Sequence, residues 1–486
     1  AQWSGDFSAC PQTIYNPFDV DPVTNTRRPF PGNRIPASLL SPVAQKYKQY
    51  VPLPNLPGAA FGQPNLSRFG SQQNDDTQFL VRVDQMLPKE GKLFLKYFWD
   101  DVGSYSYGLS RFAGFAQPLT GQTASTEWTQ PIGSRIVNQL RFGFFRSVTN
   151  YGAVPTSEDI AGEVLGLRNV SRDPTFFGLP SISVTGVSVP GTALFNLYRI
   201  TTRAGVNENF SFVTGRHTVD LGGTIQAIQY PQKNGIFPRG SITYDGSFTR
   251  QAPGGAGGAG MADFLLGAFT SASGNPTGFS PLLDTAYYGW FAQDQIKLTR
   301  TFTLTLGIRW DYWAPPVERY NRLVAFDQNA GKLVFALKNP VNFQQDYKTL
   351  SDEVPRGMFR NWKKTNFSPR VSFAWLATPK TTVRAAYGIY YTQGMANFQI
   401  FASLGFGGPP FTNNSNVTND PSLLTPTTLD TQLFPAPAIG EITPGTLFVT
   451  PDINAPQSYV HQATLSIERQ VGENWLISAG YNAFLG

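Results

Sequence analysis

The chain has 486 residues, a net charge of +6 and only 14% charged side chains, well below the roughly 25% of an ordinary soluble protein. A mild basic surplus without a clustered basic patch argues against a nucleic-acid partner, and the single cysteine, Cys10, excludes an internal disulfide and a cysteine-rich metal site. No stretch approaches the roughly 18 uninterrupted apolar residues of a spanning helix, since the run from Ala262 to Phe269 is broken by Asp263 and Gly267.

The first segment, Ala1-Gln2-Trp3-Ser4-Gly5-Asp6, has neither a basic n-region nor an apolar h-region. The expectation is that a signal was removed or that the chain starts inside a longer protein. Residues 1–76 read as a loop region and 77–486 as a strand-built portion. Six hairpins follow in order. Phe79, Val81 and Val83 alternate with polar residues, turn at Pro88-Lys89-Glu90-Gly91 and return as Leu93, Leu95, Tyr97 and Trp99. A second pair turns at Pro131-Ile132-Gly133-Ser134, with Leu140, Phe142 and Phe144 on one face, and a third at Thr214-Gly215-Arg216-His217.

The fourth pair, turning at Leu298-Thr299-Arg300, contains the clearest pattern. From Thr301 to Tyr312 every second residue is apolar (Phe302, Leu304, Leu306, Ile308, Trp310, Tyr312) and every residue between is small or polar. At roughly 3.3 Å per residue and a tilt near 40° this strand covers about 25 to 30 Å, the height of the apolar band of an outer-membrane barrel. The fifth pair turns at Thr378-Pro379-Lys380 and the sixth at Val471-Gly472-Glu473-Asn474. Six pairs give about twelve strands. A mean hydropathy of −0.21 fits a wall in which only alternate residues touch lipid.

Between pairs the connections are long: Asn150 to Thr202, Tyr230 to Asp284, Ala314 to Asn366 and Thr392 to Gln457. Short turns at one end and long loops at the other predict periplasmic turns and extracellular loops. Short strands are expected inside the loops at Ser241 to Phe248 and Lys332 to Leu337, and the glycine tract Gly254 to Gly260, lacking a following Lys-Ser or Lys-Thr, reads as a flexible loop. Glu208 and Asp294 fall in the apolar phase, where a bulge or an interfacial position would accommodate them.

The chemistry is sparse. His217 and His461 are the only histidines, and neither has a metal-ligand spacing or a nucleophile-elbow context. Acidic pairs such as Asp100-Asp101 and Asp352-Glu353 read as solvated loop carboxylates. The aromatics divide into two levels: Trp99, Trp310, Tyr312 and Tyr391 at strand ends far from the short turns, and Trp128, Trp375 and Trp475 close to them, as two interfacial girdles require. Arg82, Lys92, Lys96, Arg141, Arg309 and Arg384 lie in the opposite phase and are expected to face the lumen, either as structural charges or as contacts for an anionic solute.

Several segments resemble the Oar-like branch of TonB-dependent outer-membrane receptors. They are Gly5-Asp6-Phe7-Ser8, Ile14-Tyr15-Asn16-Pro17, Pro29-Phe30-Pro31-Gly32-Asn33-Arg34-Ile35-Pro36, Tyr50-Val51-Pro52-Leu53-Pro54-Asn55, Gly215-Arg216-His217-Thr218, Ala262-Asp263-Phe264-Leu265-Leu266-Gly267, Leu304-Thr305-Leu306-Gly307-Ile308-Arg309 and Ser368-Pro369-Arg370. The resemblance implies a larger barrel closed by an N-terminal plug, driven by the inner-membrane TonB energy-coupling complex, with outer-membrane lipid and a solute as further partners. No plug and no TonB-box-like segment is recognised, so the chain reads as a barrel fragment. The expectation is an all-β, antiparallel transmembrane β-barrel of the bacterial outer membrane, with no cofactor and no catalysis, serving energised solute uptake. A passive porin or adhesive display barrel is the first alternative. A soluble all-β binding protein such as a propeller is the second, and no repeated blade motif supports it.

Overall fold

The computed structural model describes residues 1–57, 63–70, 72–192, 195–275, 281–320, 324–335, 351–353, 359–360, 362–391, 415–420, 422, 424–429, 452–454 and 456–486. Twelve long strands make the wall: β1 Gln72–Met86, β2 Lys92–Tyr107, β3 Leu119–Ile132, β4 Ile136–Ala153, β5 Phe195–Thr214, β6 His217–Ile236, β7 Leu282–Lys297, β8 Phe302–Trp313, β9 Phe367–Thr378, β10 Thr381–Tyr391, β11 Tyr459–Val471 and β12 Trp475–Leu485. Each pairs antiparallel with its sequence neighbours, and the short strands Gly114–Ala116 and Val317–Glu318 bring the sheet to fourteen. Among the described residues the outer edges of β1 and β12 pair with no strand.

The register explains why this meander is a membrane wall. One cross-strand row runs Leu95, Thr126, Phe142, Val206, Ile225, Tyr288, Tyr312; another runs Leu306, Val371, Tyr387, Ala463, Ala483. These rows stay open to the surroundings, with Val206 at 44%, Ile225 at 47% and Leu306 at 45% exposure. An apolar face this wide would be covered by a second sheet or by helices in a soluble protein. Here it faces the lipid, and long antiparallel ladders join each strand to its sequence neighbours, the pairing that a membrane interior demands.

Adjacent glycines and adjacent aromatics lock β6 to β7 on both faces. A Cβ at Gly223 would lie 2.3 Å from the Trp290 ring on the lipid side, and one at Gly222 would lie 2.3 Å from the Phe291 ring on the lumen side. The aromatic ring covers the backbone that glycine leaves bare, a device for pinning register.

All six tight turns lie at one end of the wall. At the other end the loops do not trail. They fold with the N-terminal segment into a cap that has its own core of Phe7, Ile14, Phe30, Tyr47, Ile160, Leu179, Ile242, Phe248, Phe264 and Phe269, among others. Helix α1, Pro42–Tyr47, starts at Ser41, whose side chain accepts from the Ala44 N–H; helix α2, Gly260–Leu266, is buried along its whole length. Phe264 meets Trp3, Tyr47 and Tyr244 edge-on at 5.8, 5.9 and 5.1 Å. A small sheet of Ser415–Thr418, Ser271–Gly274, Ser241–Tyr244 and Ser181–Val184 completes the cap.

Two sequence expectations change here. The loop strand at 241 forms but is shorter, Ser241–Tyr244, and the one at 332 forms over Lys332–Phe335, with positions 336 and 337 of the expected span outside the described residues. The glycine tract is no free loop: Arg250 and Gly257 form a β-bridge, Gly258 N–H donates to Thr13 O at 3.0 Å, and Gly257 and Gly258 adopt φ near +83° and +84°, open to glycine at little cost. Close approach of the N-terminal segment, not flexibility, explains these glycines.

Candidate functional site

The wall's polar face is built by alternation, so the residues opposite the lipid-facing rows share the lumen side. On it the four candidate arginines each meet a carboxylate. Arg82 donates to Asp84 twice at 2.7 Å and stacks over Phe94 at 4.6 Å. Arg141 donates to Glu127 at 2.5 Å across the β3–β4 pair. Arg384 reaches Glu468 at 2.7 Å. Lys92 and Lys96 occupy the same face of β2, Lys92 exposed and Lys96 half-buried, with Lys96 in register between Arg82 and Ser125.

Arg309 lies deepest in a polar cluster near the long-loop end. It donates from Nε to both Asp311 oxygens at 2.9 and 3.1 Å and from Nη2 to the Tyr287 hydroxyl, which in turn donates to Asp311. Trp313 stacks on Tyr287 at 4.0 Å and shields the group. Hydrogen-bonded pairs of this sort carry little net field, so these four arginines do not by themselves form a continuous cationic funnel.

The seven candidate aromatics all project from the lipid face. Toward the long loops, Trp99 stacks on Phe79 at 5.6 Å, Trp310 on Tyr312 at 6.1 Å, and Tyr391 meets Tyr459 at 5.6 Å. The Trp310 indole N–H donates to Lys364 O at 2.6 Å. Toward the short turns, Trp128 is paired in register with Leu93 and Leu140, Trp375 with Phe302 and Val383, and Trp475 with Val471.

The two acidic residues in the lipid phase have different settings. Asp294 lies near a short turn, where its Oδ2 is 2.7 Å from His217 Nδ1, an interfacial pair that sequence spacing did not reveal. Glu208 lies six positions from the end of β5 with unbroken register to β4 and β6, flanked by Leu140 and Gly223, so no bulge accommodates it. His461 bonds the Tyr387 hydroxyl at 2.7 Å. Asp100 and Asp101 are successive residues of β2 and so point to opposite faces; Asp101 accepts from Thr120 at 2.8 Å. The side chains of Asp352 and Glu353 lie outside the described residues. Among the described residues no group of three His, Cys, Asp or Glu could hold a metal ion.

The cap contains the residues that sequence reading missed. Arg239, 3% exposed, donates to Leu179 O, Thr192 Oγ1, Phe176 O and Asn196 Oδ1 at 2.8 to 3.1 Å. Burial lowers its pKa to about 10. Asp263, fully buried on α2, accepts from Thr249 Oγ1 at 2.7 Å and from Phe248 N–H at 3.2 Å. Its carboxyl is pushed up to about 7 by desolvation, against the pull of those hydrogen bonds. The only sequence signal was a charge inside an apolar run at Ala262 to Phe269.

No curated protein matches the chain. Among solved structures, the outer membrane transporter YddB from Escherichia coli is similar over 85% of this chain and 40% of its own, with 11% identity and a TM-score of 0.42. The copper transporter OprC matches over 85% and 46%, with 9% identity and a TM-score of 0.44. The ferric-catecholate import receptor Fiu from Escherichia coli K12, in its open form, matches over 85% and 52%, with 12% identity and a TM-score of 0.38. The chain thus spans between 40% and 52% of the length of these three. The profile of the family described as outer membrane beta barrel domain matches residues 1–485. With the lipid-facing rows, this establishes that the chain belongs to the outer membrane beta barrel family and resides in the bacterial outer membrane.

Proposed function

We propose that the protein is a receptor barrel for solute uptake of the TonB-dependent kind, without catalysis of its own. The observation that carries this reading is the cap. Loops that share a core with the N-terminal segment offer a fixed surface outside the membrane, above a polar face that leads inward. A plain pore needs no such structure over its wall. In this reading the cap captures the solute, Arg82, Lys92, Lys96, Arg141, Arg309 and Arg384 line its descent, and Trp99, Trp128, Trp310, Tyr312, Trp375, Tyr391 and Trp475 hold the wall at the two interfaces.

Energised gating is supported by the Oar-like sequence resemblance alone. It brings with it a plug segment, the inner-membrane TonB energy-coupling complex as partner, and residues 1–76 and 77–486 as loop region and barrel portion. The test is uptake by cells carrying the full-length parent protein, with a panel of labelled metal chelates, glycans and peptides. Uptake of one solute should collapse when the coupling complex or the plug segment is deleted. Uptake that continues unchanged after either deletion contradicts the reading, as does ohmic conductance of the intact protein in a planar bilayer.

A further inference from the structure

The cations of the short-turn end differ from four arginines of the wall. In the wall, Arg82, Arg141, Arg309 and Arg384 are each neutralised by a carboxylate. At the short-turn end they are not. Five of the six turns carry a cation, Lys89, Arg135, Arg216, Arg300 and Lys380, and two adjoining strand ends add Lys92 and Lys297. Only Glu90 and Glu473 oppose them in those turns, so the rim holds five of the six net positive charges of the whole chain. All seven cations are exposed. Among the described residues none of them forms an ion pair, and Arg216 has only a 3.2 Å bond to the Leu298 carbonyl.

Their neighbours on the outer surface are apolar. Trp375 and Trp475 are 44% and 73% exposed, and Ile132, Leu298 and Val471 are 51%, 42% and 43% exposed at the same level. A row of exposed cations with exposed apolar side chains behind it, Trp375 next to the Lys380 turn among them, matches a headgroup layer with acyl chains behind it. An acidic protein would meet a patch; this charge is spread along the rim. We propose that the short-turn rim binds anionic glycerophospholipid headgroups of the periplasmic leaflet, the phosphates meeting Lys89, Arg135, Arg216, Arg300 and Lys380. The inference rests on the orientation of the barrel and not on the uptake reading, which could fail without touching it.

The experiment uses the full chain in detergent with an equimolar mixture of phosphatidylglycerol and phosphatidylcholine of identical acyl chains, and counts retained lipid by native mass spectrometry. The wild type should retain phosphatidylglycerol several-fold over phosphatidylcholine, and 1 M salt should abolish the preference. The variant K89Q/R135Q/R216Q/R300Q/K380Q should lose it, with affinity down at least about tenfold. Because all five positions are exposed, circular dichroism of that variant should match the wild type, and R135K/R216K/R300K should keep the preference. Equal retention of the two lipids by the wild type, or an unchanged preference in the glutamine variant, overturns the proposal. Loss of the preference to millimolar inorganic phosphate would show a free-anion site, and tighter binding of polyglutamate than of phosphatidylglycerol would show an acidic polypeptide partner; either result also overturns it.

Discussion

Replacing Leu465 and Thr464 by arginine, one at a time, tests the face assignment on which the architecture depends. Leu465 is the seventh of thirteen residues of β11, so it lies six residues from either strand end. At roughly 3.3 Å per residue and a tilt near 40° that places it about 15 Å from each interface, near the midplane. It is 43% exposed and in register with Ala385 and Tyr481 on the lipid side. An arginine there has only acyl chains for company and should cost about 2–4 kcal/mol. Thr464, its immediate neighbour, is in register with Ala386 and Asn482 on the lumen side. Arginine at that position stays in water, and the cost should be at most about 1 kcal/mol. The assay is reversible urea unfolding of the full chain in phosphatidylcholine vesicles, followed by tryptophan fluorescence. Equal costs, or a larger cost at Thr464, would refute the claim that the exposed apolar rows face lipid.

Three further outcomes are expected. Gly223→Val should cost about 1–3 kcal/mol by overpacking and shift the tryptophan emission, because its Cβ would start 2.3 Å from the Trp290 ring; an unchanged spectrum would show that the ring does not lie over the glycine. Arg309→Met should destabilise the wall by roughly 2–3 kcal/mol by leaving Asp311 and Tyr287 without their donor, and the double change with Asp311→Asn should recover part of the loss; strict additivity of the two would contradict a coupled cluster. Asp263 has a folded-state pKa raised to about 7 from 3.8, so its neutral form stabilises the cap, fully below about pH 4 and progressively less as pH rises through 7. Amide exchange in residues 245–268, corrected for intrinsic rates, should show less protection at pH 8 than at pH 5, and Asp263→Asn should flatten that difference; a wild-type profile that gains protection at high pH would reverse the sign and refute it.

How much was legible in advance differs between residues. Arg82 with Asp84 and Arg309 with Asp311 are two apart in strands, so their shared face follows from the period alone. Arg141 with Glu127 and Arg384 with Glu468 needed the register between strands, and Tyr287 joins Arg309 only because β7 pairs with β8. His217 and Asp294 are 77 residues apart and meet for the same reason. The cap was the larger surprise: Phe7, Ile14 and Phe30 carry no period, and nothing local says that they share a core with Ile242 and Phe264.

What the sequence by itself determined is therefore the wall: its strands, their two faces and the short-turn end, because a two-residue period is a local property that a bilayer reads one strand at a time. Tertiary structure alone decided the cap, the carboxylate partner of Arg141 and of Arg384, and the burial of Asp263 and Arg239. Those depend on contacts between segments far apart in the chain, whose geometry is fixed only after the wall has brought their ends together.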